Sequence, residues 1–291
     1  MSAIKKILVT GSNGQVGSEL KDLSMAYPTY QFYFVTRAEM SLDDEASIQN
    51  TIASIQPHYI INCAAYTAVD LAETEKEQAL QANGKAVGLL AKLAAAQQIK
   101  FIHLSTDYVF DGRIKEPLKE DQQVSPVNYY GESKLIGEQL AVENNPDSII
   151  IRTAWVYSYY GKNFVKTMIR LLSEKESIKV VADQWGSPTY AADLAKVIMQ
   201  IIHSGHWQPG IYHYSNEGII NWAQFAEEIK NILQSPCKVD TTDTANYPTP
   251  AKRPLYSVMD KTKIKTTYHL TIPFWKDSLR VCMEKLSSSE L

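Results

Sequence analysis

Tyr130-Gly131-Glu132-Ser133-Lys134 sets a phenol and an ammonium four residues apart. On a helix, that spacing turns both side chains to one face. A phenol with an ordinary pKa of about 10 is a poor proton donor at neutral pH. A neighbouring ammonium stabilises the phenolate and lowers that value. Such a pair can hand a proton to a carbonyl oxygen while a hydride reaches the carbon. With 17 tyrosines in 291 residues, one Tyr-x-x-x-Lys is what chance supplies, so the pair carries weight only in a scaffold that aims it. Ser105-Thr106-Asp107-Tyr108 is a second polar cluster. Its hydroxyls can hold the same substrate oxygen, or they can simply cap a turn.

The third constellation is Thr10-Gly11-Ser12-Asn13-Gly14-Gln15-Val16-Gly17, a G-x-x-G-x-x-G loop. Gly11 suits a tight turn, Gly14 lets a pyrophosphate approach the backbone, and Gly17 allows close packing of helix on strand. The helix that opens at Gln15 points amides and its positive dipole end at the phosphates, with Asn13, Gln15 and Val16 around them. Glycines alone are weak evidence, because ordinary turns use them too. Here they follow a strand and open a helix, which is the context a dinucleotide site needs. Beyond the second strand stands Thr36-Arg37. An acidic residue there would favour NAD, whereas Arg37 can pair with a 2′-phosphate. NADPH is therefore the expected cofactor; NADH stays possible, since Glu39 lies close by.

The elements that must position these groups read as an alternation. Apolar runs at Ile4–Thr10, Tyr30–Thr36, His58–Ala64, Lys100–Ser105 and Ser148–Thr153 predict five strands. Helical spacing falls between them at Gln15–Ala26, Asp44–Ile55, Thr74–Gln98 and Val127–Asn144. Strands apolar throughout, joined by helices of crossover length, predict a parallel sheet covered on both faces. Right-handed crossovers make it a doubly wound α/β fold of Rossmann type. In such a sheet ligands lie outside the carboxyl ends of the strands, where Ser105 and Thr106 fall and where the Tyr130 helix begins. After Thr153 the rhythm loosens. Helices are expected at Asn163–Ser173, Ala191–His203, Asn221–Leu233 and Pro273–Leu286, strands at Lys179–Ala182 and Gly210–Ser215. The expected division is a dinucleotide-binding domain over 1–155 and a smaller, interwoven α/β substrate domain over 156–291. The tail from Ser287 to Leu291 is expected to fray.

A net charge of −3 offers no basic field for nucleic acid or an anionic membrane. No apolar run approaches the ~20 residues of a bilayer span. The chain starts almost directly with a strand pattern, so no secretory leader is expected. Cys63, Cys237 and Cys282 are odd in number and far apart, with neither disulfide nor metal spacing. These features predict a protein of the reducing cytoplasm acting on a small molecule.

Taken along its length, the sequence resembles the extended short-chain dehydrogenase/reductases. Within them it closely resembles the dTDP-4-dehydrorhamnose reductases. The stretches that carry the resemblance are GSNGQVG, NCAAYTAVDLAE, STDYVFDG, YYGESKLIGE, RTAWVY, DQWGSPT and YPTPAKRP, in family order over nearly the whole chain. The resemblance implies NAD(P)H-dependent reduction of the C4 keto group of dTDP-4-dehydro-β-L-rhamnose to dTDP-L-rhamnose, the last step in making that sugar donor for cell-surface polysaccharide. It implies Thr106, Tyr130 and Lys134 as the catalytic set. It implies Gly14, Gln15 and Val16 at the pyrophosphate, Ala64, Ala65 and Tyr66 along the cofactor, and Ser41 and Leu42 near the adenine. The family often has an acidic residue at the position of Ser41. Asp107, Tyr108 and Trp155 would meet the nucleotide-sugar, with Thr67, Val69, Gln184 and Arg253 as further contacts; Trp155 can equally be a core aromatic.

Some relatives dimerise through magnesium held by acidic side chains. Glu19 matches one of those positions but Ala192 stands at another, so no metal site is expected, and the chain should be a monomer or a weak homodimer. Two other readings stay open. A nucleotide-sugar epimerase or dehydratase would keep its NAD through the cycle, against which Arg37 and the STDYVFDG and RTAWVY stretches argue. A non-catalytic NADP-binding regulatory subunit of the same family would bind without turnover, against which the intact Thr106, Tyr130 and Lys134 argue.

Overall fold

A computed structural model describes residues 4–288. Its main sheet has six parallel strands in the order β2-β1-β3-β4-β5-β10. They are β1 (Lys5–Thr10), β2 (Tyr30–Val35), β3 (Tyr59–Asn62), β4 (Lys100–Thr106), β5 (Ile149–Thr153) and β10 (Gly210–Tyr214). Successive side chains of a strand point to opposite faces, and both faces are apolar. Ile7, Val9, Ile61, Ile102 and Ile151 pack against α1 (Gln15–Leu23) and α7 (Ala191–His203). Leu8, Ile60, Phe101 and Ile150 pack against α2 (Glu45–Ile55), α4 (Ala86–Ala96) and α5 (Tyr129–Asn144). Each such buried side chain contributes about 1.5–3 kcal/mol, which is why these strands read as unbroken apolar runs. The doubly wound Rossmann-type sheet expected from the alternation is present.

The long helix expected over Thr74–Gln98 is interrupted. α3 (Lys76–Leu80) and α4 are joined by a π-helical turn at Gln81–Lys85. The cause lies in Asn83, which is fully buried. Its amide accepts from the Tyr66 N–H at 2.8 Å, and donates to the Tyr66 carbonyl and the Ser133 hydroxyl, both at 3.0 Å. The widened turn delivers that amide to the loop after β3, a recurrent use of π turns. Local spacing does not register it.

The second unit is smaller. It holds β6 (Val156–Tyr157), α6 (Phe164–Glu174), β7 (Ser177–Val181), β8 (Trp185–Gly186), β9 (Thr189–Tyr190), β11 (Ile220–Asn221), α8 (Trp222–Leu233), β12 (Lys238–Thr242) and α10 (Trp275–Ser288). Tyr157, Val165, Leu172, Phe225, Ile229 and Leu279 are among its core residues. The two units interweave, since α7 and β10 return to the main sheet between segments of the smaller one. α9 (Thr262–Tyr268) also returns, through Ile264 and Tyr268. Neither α9 nor β12 is anticipated by periodicity: each is short, and β12 pairs only with β7. The expected fraying from Ser287 meets a helix that still holds Ser287 and Ser288; residues 289–291 lie outside those described. Among the described residues no helix is long and apolar enough to cross a membrane.

Candidate active site

The glycine loop closes over the carboxyl end of β1. Gly11 has φ +62°, and a Cβ there would lie 2.7 Å from the Ala64 backbone. A Cβ on Gly17 would lie 2.4 Å from the Gly11 carbonyl oxygen, so the first turn of α1 sits directly on the loop. Gly14 is the N-cap of α1 and has no side chain to satisfy the first amides. Those N–H groups are left for an anion, which the helix dipole also favours. Gly11, Asn13, Gly14, Gln15 and Val16 line one wall of a cleft of about 690 Å³. Ala64, Ala65, Tyr66 and Thr67 line the next, and Tyr130 and Lys134 its inner end. The hydroxyl of Ser105, also on the lining, is buried without a hydrogen-bond partner. A dinucleotide fits this arrangement, with phosphates on the open amides and the nicotinamide end toward Tyr130.

At the outer end, Arg37 and Leu42 line the cleft. Arg37 pairs with Asp43 at 2.5 Å while its side chain stays 83% exposed. Glu39 is turned away, accepting from the Thr36 N–H and hydroxyl at 2.8 and 2.9 Å, which holds its carboxyl below the usual value. Ser41 is not on the lining: its N–H donates to Ser47 and its hydroxyl accepts from the Asp43 N–H.

α5 carries the reactive pair. Its N-cap, Asn128, accepts from the Gly131 N–H at 2.8 Å and donates to the Lys252 carbonyl at 2.7 Å. Glu73 accepts from the Tyr129 N–H at 2.8 Å. Three segments thereby fix where the helix begins. A Cβ on Gly131 would lie 2.2 Å from the Tyr108 carbonyl oxygen, so the helix presses on the end of β4. Tyr130 packs edge-on to Tyr108 with centroids 5.7 Å apart. Burial raises the Tyr130 phenol to about 12; Thr106 pulls it down and the Asp107 charge pushes it up. This corrects the expectation of a lowered value. Lys134, 2% exposed, directs its ammonium to the Leu104 carbonyl at 2.6 Å and to His103 at 3.3 Å. Burial lowers Lys134 to about 8, against the raising influence of Glu138 and Cys63. Thr106 sits behind the tyrosine, its oxygen accepting from the Tyr108 N–H at 3.2 Å and its hydroxyl 3.1 Å from Asp107. Asp107 is 2% exposed and burial raises it to about 6.

A second cavity, about 760 Å³, opens between Asp111–Lys115, Val127, Trp185 and the Pro-rich segment at Lys252–Tyr256. Arg253 lines it. It is not a free cation: Asp70 holds it at 2.7 and 2.8 Å, and Asp70 also accepts from the Ala251 N–H. Trp155 adopts φ +49° and stacks on Trp222 with centroids 3.6 Å apart, partly buried against the core of the second unit. Gln184 is buried, accepting from the Trp222 indole and donating to Thr244. Val69, Thr106, Asp107, Tyr108, Trp155 and Gln184 are on the lining of neither cavity.

Three groups are added to those read from sequence. Lys162 lines the dinucleotide cleft from the second unit. Arg113 and Lys115 line the other cavity beside Arg253. The signal was present in principle, as cations near glycine and proline, but nothing local distinguishes them from surface lysines and arginines. Glu19 is buried with its carboxylate on the Ser158 hydroxyl at 2.6 Å. Among the described residues no three His, Cys, Asp or Glu side chains gather as a metal would need.

Comparison with known proteins agrees in extent and kind. The family model described as RmlD substrate binding domain matches residues 5–288. A dTDP-4-dehydrorhamnose reductase of Aggregatibacter actinomycetemcomitans is 38% identical over 285 residues, covering 94% of this chain and 97% of the relative. The spore coat polysaccharide biosynthesis protein SpsK of Bacillus subtilis (strain 168) is 37% identical over 285 residues, covering 98% and 99%. Among solved structures, dTDP-4-dehydrorhamnose reductase from Bacillus anthracis str. Ames in complex with NADP is 37% identical, with a TM-score of 0.93 over 97% of this chain and 100% of that one. With its glycine loop, its buried Tyr130 and Lys134 and these matches over nearly its full length, the chain belongs to the RmlD family.

Proposed function

We propose that the chain reduces the C4 keto group of dTDP-4-dehydro-β-L-rhamnose to dTDP-L-rhamnose with NADPH. The observation that carries this reading is that the open amides of α1, Tyr130 and Lys134 border one continuous cleft. Relatives named as dTDP-4-dehydrorhamnose reductases, one of them holding NADP, support it.

The cofactor, when bound, supplies the hydride. The N–H groups of Gln15 and Val16 in the first turn of α1 would hold its pyrophosphate, with Gly11 and Gly14, whose own N–H donates to the Gly11 carbonyl, letting it approach the backbone and Asn13 and Lys162 beside it. Ala64, Ala65 and Tyr66 give the adjoining wall, Leu42 packs at the adenine end, and Ser41 shapes the turn beneath. Arg37 reads the 2′-phosphate, so NADPH is preferred to NADH. Tyr130 donates its proton to the carbonyl oxygen, a transfer eased by the neighbouring Lys134 ammonium, which also holds the nicotinamide ribose. Thr106 orients that oxygen. Arg253 meets the diphosphate, and Asp107 and Tyr108 border the sugar. Thr67 borders the substrate from the wall of the cleft, and Val69, Trp155 and Gln184 support the substrate side from one step further out. Residues 1–155 chiefly bind the dinucleotide and 156–291 the nucleotide-sugar. The protein acts in the cytoplasm as a monomer or weak homodimer.

The test feeds dTDP-4-dehydrorhamnose with NADH and NADPH in parallel and follows the loss of absorbance of the reduced nicotinamide. Stoichiometric consumption, faster with NADPH than with NADH, supports the reading. Binding of NADPH without consumption on this sugar refutes it.

A further inference from the structure

One row of side chains crosses the apolar sheet at right angles to its strands. Thr10 of β1 stands opposite Asn62 of β3, and Asn62 stands opposite His103 of β4. Each is at most 1% exposed. The Thr10 hydroxyl and the Asn62 amide oxygen are 2.6 Å apart, the Asn62 amide nitrogen and His103 Nδ1 are 3.0 Å apart, and His103 Nε2 lies 3.3 Å from Lys134 Nζ. Thr10 also accepts from the Ala64 N–H at 3.2 Å. Burying four polar side chains in a sheet of isoleucines costs stability unless every group is paired. Nothing in the proton transfer assigned to Tyr130 uses His103.

Hydrogen-bond accounting says what the imidazole does. Burial and the Lys134 charge hold its pKa well below the ordinary value, so the ring is neutral and carries one proton. At neutral pH Lys134 is an ammonium and can only donate. His103 Nε2 must then accept, and the ring proton sits on Nδ1. That proton needs an acceptor, and the Asn62 carbonyl oxygen meets it once the amide turns its oxygen to the ring and its nitrogen to Thr10. The reverse order, with Nε2 protonated, suits only a neutral Lys134. The titratable groups around Lys134 are Tyr130 and Glu138 on its own helix, Cys63 after β3 and His103 on β4. Glu138 is engaged by Arg152 at 2.9 and 2.7 Å, and burial holds the Cys63 thiol neutral by raising it to about 12. Besides the Leu104 carbonyl, His103 is therefore the neutral acceptor that fixes the ammonium.

We propose that His103 is a positioning residue for the reduction: acting through Lys134, it holds the ammonium in place and, through Asn62 and Thr10, ties it to the glycine loop and to Ala64. The proposal rests on the reading of Lys134 as the partner of Tyr130. The row links the glycine loop, which would hold the cofactor's pyrophosphate, to Lys134, which would lie at its nicotinamide end.

Two polar substitutions separate the two sides of the ring. The amide of His103→Gln falls where Nε2 stood and keeps the Lys134 contact. That of His103→Asn falls where Nδ1 stood and keeps only the Asn62 contact. Steady-state kinetics over pH 6–10 compares them with the native enzyme and with Lys134→Met. The Gln variant is expected to turn over about tenfold faster than the Asn variant, the factor that one hydrogen bond to a charged group converts to. Little change is expected in KM for either substrate. The alkaline limb of kcat/KM should fall by about one pH unit in the Asn variant, because an ammonium without its acceptor gives up its proton sooner. Equal rates and unmoved limbs in both variants, equal losses with unmoved limbs, or failure of either to fold in a thermal melt would each assign His103 to the scaffold and overturn the proposal. Unimpaired turnover by Lys134→Met would instead remove the reading on which it rests.

Discussion

Asp70 and Arg253, 183 residues apart in sequence, meet as a two-point ion pair that joins the loop after β3 to the Pro-rich segment of the second unit. The guanidinium is 19% exposed at the edge of the second cavity, so it is positioned before any ligand arrives. Charge-assisted, two-point pairs of this kind are geometrically specific. Arg253→Ala should raise KM for the nucleotide-sugar about tenfold or more and leave KM for the cofactor nearly unchanged. Asp70→Ala leaves the cation but loosens it, so it should raise the same KM less. The double variant should be no worse than Arg253→Ala alone, because the two side chains act as one unit. Additive losses would show that Asp70 contributes independently of Arg253.

The pH dependence should follow the lysine rather than the tyrosine. Tyr130 is raised to about 12 and stays protonated throughout the working range. Lys134 is lowered to about 8, so its ammonium is present below that value and is lost as pH rises through it. The kcat/KM profile, which reports the free enzyme, should have an alkaline limb near 8. Lys134→Arg keeps its charge at any such pH, and should lose the limb along with much of the rate. Tyr130→Phe should remove turnover by about 10²–10⁴-fold at every pH and leave NADPH binding intact. A limb that survives unmoved in Lys134→Arg would show that Lys134 is not the group that titrates.

Arg37 faces solvent on one side and Asp43 on the other. An exposed pair of this sort is itself worth little, so the guanidinium is free to exchange its partner for a phosphate. Arg37→Ala should lower kcat/KM with NADPH about tenfold and that with NADH by less than about twofold. Asp43→Ala should move the preference the other way. A parallel loss with both cofactors would mean that Arg37 does not read the 2′-phosphate.

Gly131 gives a test of how α5 is seated. A methyl group there would lie 2.2 Å from the Tyr108 carbonyl oxygen, a backbone atom that cannot step aside. Gly131→Ala must shift the first turn of α5, and Tyr130 with it. Overpacking of this kind costs about 1–3 kcal/mol, readable as a lower urea midpoint, and kcat should fall by more than the loss of folded protein explains. Native kcat in the folded fraction would show that Tyr130 tolerates the shift.

Much of the scaffold was legible because its signals are local. Apolar runs mark β1, β3, β4 and β5, whose faces are both covered, and the glycine loop announces α1 by spacing alone. Asn83 was not legible, because it widens its helix for partners at Tyr66 and Ser133 that only the fold brings near. The same holds for Arg253, readable as a cation on a stiff loop while Asp70 was invisible. The Tyr130 phenol shows the limit for electrostatics. Its spacing from Lys134 suggested a lowered pKa, yet burial of the ring raises it against the Thr106 hydrogen bond, and the ammonium is directed to Leu104 and His103. His103 reads in sequence as one more residue of an apolar strand; only register, placing it beside Asn62, reveals a row.

Asp107 should reveal a site that gives up stability for binding. Its carboxyl is buried behind Tyr108, with one oxygen lacking a well-formed hydrogen bond, and burial raises it to about 6 despite Ser257 and Thr106. A carboxyl raised in the folded state favours folding below its unfolded value of 3.8, and that contribution is lost as pH rises through about 6. At pH 7 the native protein therefore carries a buried charge that its hydrogen bonds only partly offset. Asp107→Asn removes it at almost constant volume. The variant should be more stable at pH 7 by about 1–3 kcal/mol, with the advantage shrinking through pH 5 and gone near pH 3. It should also bind the nucleotide-sugar more weakly, since the carboxylate is then no longer there to accept from the sugar's hydroxyls. Thermal melts at three pH values, set beside KM, decide the matter. A stability difference that is the same at pH 3 and pH 7 would locate the effect in packing rather than in the charge of Asp107.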